Sequence, residues 1–240
     1  MMSDGSYDEM TANDACSCAA IIEHSLTGQR ATVTWVERSD RFSADNYRAE
    51  ILGGIVLQLL LRTACEGKYV SPSMRPRVGC DNNGVVYHGN HPRRPLPANQ
   101  PQADVLRYYK QLVRDQKFRC KMYHVHGHLD QYLSYEEMTP AERLNCDCDK
   151  SASAALSLAL ELDEFIDRVL PNEDLVVLLD DAKVSGSYEK TITRNWGDKE
   201  ARLHYSSTGI VPLELFDEVY WDGVEKVLDR CPEMLSLIHI

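Results

Sequence analysis

Two periodicities divide the chain. Over residues 29–38, "QRATVTWVER" alternates, with Ala31, Val33 and Trp35 directed inward and polar partners outward, which predicts a half-buried strand. The β-rich run "CSCAAIIEHSL", residues 16–26, meets it at Thr27-Gly28, so the two read as a hairpin. From Asp45 the period lengthens. Ile51, Leu52, Ile55, Val56, Leu59 and Leu60 recur at helical spacing behind a cap from Ser43 or Asp45, and this helix should end near Gly67. A short strand, "PRVGCD", stops at "DNNG". A loop with Pro92, Pro95, Pro97 and Pro101 leads into the helix "QADVLRYYKQLVRD", whose Val105, Leu106, Tyr109, Leu112 and Val113 form one face. The strand "FRCKMYHVHGH" comes next, and after Pro140 a helix runs through "AERLNCDCDKSASAALSLALELDEFIDRVL" to Pro171.

With a first strand at "MMSDGS", the order is three strands, helix, strand, helix, strand, helix. Strands joined by short turns pair antiparallel, whereas strands joined by helical crossovers pair parallel. The expected fold class is therefore α/β: a mixed five-stranded sheet, antiparallel first and parallel after, flanked by helices over residues 1–170. Residues 171–240 read as a small α+β appendage, in which "LVVLLDDAKVSG" suggests a hairpin. The run "PLELFDEVYWDGVEKVLDR" suggests an amphipathic helix with Pro212 in its first turn and Phe216, Val219, Tyr220, Val227 and Leu228 inward. No chemistry is visible there.

Composition narrows the function classes. A hydrophobic content of 43% in 240 residues supports a folded core. No stretch reaches the roughly 18 apolar residues of a membrane span and the N-terminus lacks a signal-peptide layout, so the chain reads as soluble and intracellular. Its eight cysteines are scattered, and the single-residue gaps of Cys16/Cys18 and Cys146/Cys148 do not match zinc spacings, which favours buried or free thiols. The net charge of −11 argues against an indiscriminate grip on nucleic acid. The charge is uneven, however. From His91 to Lys121, the cations Arg93, Arg94, Arg107, Lys110, Arg114, Lys117, Arg119 and Lys121 outnumber the acids Asp104 and Asp115. Such a run is ordinarily a solvated helix face; beside a suitable site it would bind phosphates, with Arg107, Lys110 and Arg114 foremost.

Four acids fall where such a fold could gather them: Asp4 in the first strand, Glu50 in the first turns of the long helix, Asp81 at the end of the fourth strand, and Asp149 in the last helix. Crowded carboxylates repel and take up protons unless a cation neutralises them, so a cluster of them implies a hard divalent metal, with Mg²⁺ the natural candidate. Two such ions roughly 3.5–4 Å apart activate water and stabilise the leaving oxygen of a phosphoryl displacement. Each acid alone is ordinarily a cap or a solvated side chain.

Taken in order, these segments resemble the type 1 ribonucleases H and the ribonuclease H domains of retroelement polyproteins, over residues 3 to about 160. "DGS" followed by "CAAII" resembles the first strand and turn of that family. "NYRAE" is similar to its Asn-x-Arg-x-Glu helix start and "CDNNGVV" to its Asp-Ser-x-x-Val segment. "HVHGH" stands where the family has Trp-x-x-Gly-His, and "NCDCDKSA" resembles its Asn-x-x-x-Asp-x-x-Ala helix. The resemblance implies a ribonuclease H-like fold and endonucleolytic cleavage of the RNA strand of RNA/DNA hybrids. It implies two Mg²⁺ ions, with Mn²⁺ able to substitute, held by Asp4, Glu50, Asp81 and Asp149. His128 would assist proton transfer or product release, and Asn46 and Asn83 would contact the sugars of the hybrid. Asp147 rivals Asp149, which is favoured because Asn145 lies four residues before it. A reverse transcriptase in the same or a neighbouring polypeptide is an implied partner.

Two other readings stay open. His124, His126 and His128 alternate along one strand and with Cys146 and Cys148 could hold zinc. A non-catalytic ribonuclease H-like module, binding nucleic acid or packing on a reverse transcriptase, is the alternative function. Only three residues precede Asp4, fewer than the family's central strand needs, which predicts a chain cut short at its N-terminus; the tail "LSLIHI" reads as non-native.

Overall fold

The computed structural model describes residues 1–7, 15–38, 45–66, 76–97, 100–116 and 120–162, with short pieces between 178 and 207. Five strands form one sheet: β1 (Met2–Tyr7), β2 (Ala15–Glu23), β3 (Arg30–Arg38), β4 (Arg77–Cys80) and β5 (Lys121–His124). Their order is β3-β2-β1-β4-β5. β1 pairs antiparallel with β2, placing Asp4 opposite Ala19, while β1–β4 and β4–β5 are parallel. The mixed sheet expected from the alternation of strands and helices is thus present, with β1, six residues long, at its centre.

The four helices are α1 (Asn46–Glu66), α2 (Asn83–Asn90), α3 (Ala103–Asp115) and α4 (Pro140–Leu162). β2 explains how they are layered. Cys16, Cys18 and Ala20 belong to a core with Ile51, Leu52 and Ile55 of α1 and Leu106 and Tyr109 of α3. Ala19 and Ile21 instead join Leu144, Cys148 and Ala152 of α4. A strand covered on both faces must be apolar and small throughout, which is why "ACSCAA" does not alternate. Ser17 is tolerated because its Oγ donates to the Ala152 carbonyl at 2.7 Å.

α1 departs from the expected single apolar face. Every residue from Arg48 to Gln58 is buried, because the sheet covers one side and α3 the other. Leu57 and Leu61 are fully buried, whereas Leu59 and Leu60 are only half-buried. Arg48, 0% exposed, is ion-paired to Glu37 at the end of β3 and, at 3.0 Å, to Asp104 at the start of α3. Its Nη1 also donates to Gln102 Oε1 at 3.1 Å. Asp45 caps this helix, its Oδ1 accepting from the Arg48 amide at 2.6 Å; Ser43 lies outside the described residues. At α4, Thr139 and Glu142 form a capping box around Pro140: Glu142 Oε2 accepts from the Thr139 amide at 2.7 Å and Thr139 Oγ1 from the Glu142 amide at 3.4 Å.

Three further expectations are corrected. "DNNG" is not merely a stop: Asn82 accepts from the Gly84 and Val85 amides and starts α2, a helix too short to show a period in the sequence. On β3, Ala31 and Val33 are exposed and only Trp35 packs partly on the core, because β3 is the sheet edge. β5 ends at His124, so His126 and His128 do not continue its alternation, and His128, at φ 53°, precedes a 3-10 turn over Leu129–Gln131.

The chain divides into two compact units, Met1–Tyr188 and Glu189–Ile240. The expected hairpin near residue 180 is a two-stranded antiparallel pair, β6 (Leu178–Leu179) and β7 (Ala182–Lys183). The amphipathic helix read at residues 212–230 and the tail "LSLIHI" lie outside the described residues. No helix among the described residues is long and apolar enough to cross a membrane.

Candidate active site

Two glycines set the distance between β1 and α1. A Cβ on Gly5 would lie 2.5 Å from the backbone of Ala49 and Glu50, and one on Gly53 would lie 3.0 Å from the Asp4 carbonyl oxygen. Their absence of side chains lets the strand and helix touch, which brings Asp4 and Glu50 together as hydrogen-bonded partners. β4 is parallel to β1 and delivers Cys80 and Asp81 beside them. The Cys80 thiol faces Glu50 Oε2 at 3.9 Å, and one ligand atom each from Glu50, Cys80 and Asp81 lies within 4.8 Å of the others.

α4 closes the cluster from the opposite face. Asn145, 1% exposed, donates through Nδ2 to Asp4 Oδ2 at 3.0 Å and to Asp81 Oδ2 at 3.4 Å. Sequence reasoning used Asn145 only to fix the helix register, and the bridge between two acids from distant elements had no local signal. Gly127 forms the remaining wall: a Cβ there would lie 2.3 Å from Asp81 Oδ2.

One turn beyond Asn145, Asp149 lies 3.9 Å from Nδ1 of the exposed His128 and is close enough to Asp4 and Asp81 to repel both charges. Asp147 points away, its Oδ2 accepting from Arg30 Nη1 at 2.6 Å and from the Tyr135 hydroxyl at 2.9 Å. Asn46 and Asn83 are exposed at the first residues of α1 and α2. Those two helix starts adjoin, since a Cβ on Gly84 would lie 2.9 Å from the Tyr47 ring.

Electrostatics record the crowding. Burial first, then the charges of Asp81 and Asp149, push the Asp4 carboxyl up to about 8. Burial and the neighbouring Asp4 and Asp81 raise Glu50 well above the ordinary range, and burial raises Asp149. Burial and mutual repulsion favour the protonated forms of Asp4, Glu50 and Asp149 when no cation is bound. Asp81 Oδ1 and Asn145 Oδ1 are moreover buried without a hydrogen-bond partner. Carboxylate oxygens, an amide oxygen and orphaned acceptors make a donor set that fits a hard divalent cation.

The expected basic face is more constrained than a solvated helix. Lys110 is buried and its Nζ donates to the His91 carbonyl at 3.0 Å; burial, then Arg114 and Arg94 nearby, push its pKa down. Arg107 and Arg114 are exposed on α3. Arg94 lies over the Tyr87 ring at 5.7 Å and donates to its hydroxyl, with the His91 ring 4.6 Å from that of Tyr87. α2 links the two regions, starting beside Asp81 and ending at His91, a span of about 12 Å at 1.5 Å per residue. Lys117 and Arg119 lie outside the described residues.

The histidine-cysteine zinc site does not form among the described residues. Cys148 Sγ faces the Met2 carbonyl at 3.5 Å, Cys146 Sγ packs 3.8 Å from Met138 Sδ, and among the described residues the three metal-ligating side chains with atoms within 4.8 Å of one another are Glu50, Cys80 and Asp81. All described cysteines are free thiols.

No family profile and no curated protein matches the chain in sequence. Among solved structures it is similar to the N-terminal ribonuclease H domain of a Mycobacterium tuberculosis protein fused to maltose-binding protein, at 20% identity and a TM-score of 0.44, covering 68% of this chain and 95% of that one. It is also similar to LC11-RNase H1, determined in complex with an RNA/DNA hybrid, at 13% identity and a TM-score of 0.46, covering 66% and 96%. Ribonuclease H1 from the archaeon Halobacterium salinarum gives 15% identity and a TM-score of 0.42, with the same coverage. The sheet of this chain is antiparallel through β1 and parallel beyond it. The fold is a mixed five-stranded α/β sheet flanked by helices. Asp4 is the third residue of the central strand β1, and Asp81 directly follows the adjacent parallel strand β4.

Proposed function

We propose that the chain is a hybrid-specific endoribonuclease that hydrolyses the RNA strand of RNA/DNA hybrids with two Mg²⁺ ions, which Mn²⁺ can replace. The observation that carries this reading is the meeting of Asp4, Glu50 and Asp81 across three elements, two of them bridged by Asn145. Bound there, divalent ions would activate a water and neutralise the leaving oxygen of an in-line displacement at phosphorus. Asp4, Glu50, Asp81 and Asp149 would hold these ions, and Asn145, bonded to Asp4 and Asp81, fixes the relative orientation of those two. Water adds to phosphorus, the bond to the 3′ oxygen breaks, and the products carry a 5′-phosphate and a 3′-hydroxyl.

His128, beside Asp149, would carry the departing proton. Asn46 and Asn83 contact sugars near the scissile bond, where recognition of a 2′-hydroxyl separates RNA from DNA. Arg107 and Arg114, with Lys110 as their buried strut, bind phosphates of the hybrid. Residues 1–170 constitute the ribonuclease domain of a retroelement-type intracellular protein; residues 171–240 are an appendage outside the chemistry, and a reverse transcriptase is the partner expected.

The test is cleavage of a labelled RNA/DNA hybrid in Mg²⁺ or Mn²⁺. Asp4→Asn and Asp81→Asn should abolish cleavage in folded protein, while His128→Ala should slow it about 10²-fold to 10⁴-fold. Activity persisting in excess EDTA, or equal cutting of single-stranded RNA, would overturn the assignment. Tight hybrid binding without cleavage in any divalent metal would make the chain a non-catalytic module instead.

A further inference from the structure

The acidic cluster contains a sulfur that an oxygen-loving ion has no use for. Cys80 is fully buried, yet its Sγ lies 3.9 Å from Glu50 Oε2 and shares with Glu50 and Asp81 a space in which all three ligand atoms are within 4.8 Å. Ligand atoms around one tetrahedral zinc ion, with Zn–S near 2.3 Å and Zn–O near 2.1 Å, are about 3.6 Å apart. The three side chains therefore need only small shifts to converge. The Asn82 amide donates to Cys80 Sγ at 3.4 Å, which fixes the sulfur beside Asp81.

A second feature points to a cation in the same place. Asn145, 1% exposed, has its amide nitrogen on Asp4 and Asp81 and its amide oxygen without a partner, and Asp81 Oδ1 is likewise buried and unpartnered. Buried acceptors without donors are costly, and a positive ion among them removes that cost.

We propose that Glu50, Cys80 and Asp81 form a site for a thiophilic divalent cation, zinc in particular, set within the acidic cluster. Magnesium is bound by oxygen alone, whereas zinc takes thiolate readily, so the sulfur biases this corner toward zinc. On binding, the S–H bond of Cys80 breaks, a sulfur–zinc bond forms, and the thiol proton passes to solvent together with any proton held by Glu50. Oxidation states do not change. Because Glu50 and Asp81 also belong to the proposed Mg²⁺ set, zinc and magnesium compete, and zinc occupancy is an inhibited state; this consequence rests on the hydrolase reading, while the site itself does not.

Cadmium is the spectroscopic probe, since its bond to thiolate gives an ultraviolet charge-transfer band. Titrated with Cd²⁺ alone, the full-length chain should develop the band at one equivalent, release protons in step, and lose the band when zinc is added. Cys80→Ser should eliminate that band while the other cysteines remain. An equal band in Cys80→Ser would overturn the proposal. Should Cys80→Ser fail to fold by circular dichroism, Glu50→Gln keeps the thiol and should weaken cadmium binding roughly tenfold to a hundredfold. Unchanged affinity in Glu50→Gln would equally overturn it. Hybrid cleavage by the unmodified chain separates the two readings: no cleavage in Mg²⁺ together with a Cys80-dependent band removes the enzyme and keeps the zinc site. Cleavage without any such band does the reverse.

Discussion

At the scale of single residues, Asp4 gives the clearest linkage. Its carboxyl, raised from 3.8 to about 8, binds its proton more tightly in the folded than in the unfolded chain. The associated stability is complete below 3.8 and is lost as pH rises through about 8. In EDTA, urea denaturation should therefore show stability falling across this window. Asp4→Asn should flatten the fall and raise stability at its alkaline end by at most about 6 kcal/mol, each pKa unit being worth about 1.4 kcal/mol. Divalent metal should reverse the slope, since binding must displace those protons. A second contrast separates Asp149 from Asp147. Asp149→Asn should reduce hybrid cleavage severely. Asp147→Asn, which disturbs only half-exposed bonds to Arg30 and Tyr135, should leave the rate close to wild type and cost at most about 1 kcal/mol of stability. The reverse ranking of cleavage rates would show that the helix register was misread by two residues. The acids were visible in the sequence because their types and order are unusual. Asn145, Cys80 and Gly127 were not, because their roles consist of contacts to residues 64, 30 and 46 positions away.

At the scale of elements, what was legible followed from exposure. α3 keeps Arg107, Arg114 and Asp115 in water, so Val105, Leu106, Tyr109 and Leu112 could be read as its apolar face, whereas Val113 is only partly buried and the burial of Tyr108 and Lys110 was not legible. α1 is covered on two sides, and its pattern understated the burial. α2 was missed because Asn82, Asn83 and Gly84 are turn residues whose capping role depends on the amides that follow them. The Arg48 network was also hidden: "NYRAE" places an arginine among apolar residues, but its partners Glu37 and Asp104 come from β3 and α3. That network ties the start of α1, and so Glu50, to its neighbours. Arg48→Ala would leave two buried carboxylates without a counter-charge and should cost about 3–5 kcal/mol by chemical denaturation. The triple replacement of Arg48, Glu37 and Asp104 by apolar residues of similar volume should be far less damaging, because it removes the stranded charges as well.

At the scale of the whole molecule, topology was the most legible feature. Short turns before Asp45 and helical crossovers after it leave few ways to order five strands, and the observed sheet follows those rules. Charge is the opposing consideration. A chain of net charge −11 gains little from long-range attraction to a polyanion, so binding must depend on the local group around α3 and the end of α2. There Arg94 and Arg114 stand near Lys110, which is held in place by the His91 carbonyl. If Arg107 and Arg114 each neutralise one phosphate, replacing both by Gln should weaken hybrid binding and reduce the slope of log affinity against log salt by up to about 1.8. Replacing Lys110 by Met should instead act through stability, since its ammonium is already engaged by backbone, and should change the slope less than the double replacement does. Fluorescence anisotropy of a labelled hybrid over a range of salt concentrations measures both. A slope unaltered by the double replacement would assign the grip to another surface and leave α3 as a solvated helix face.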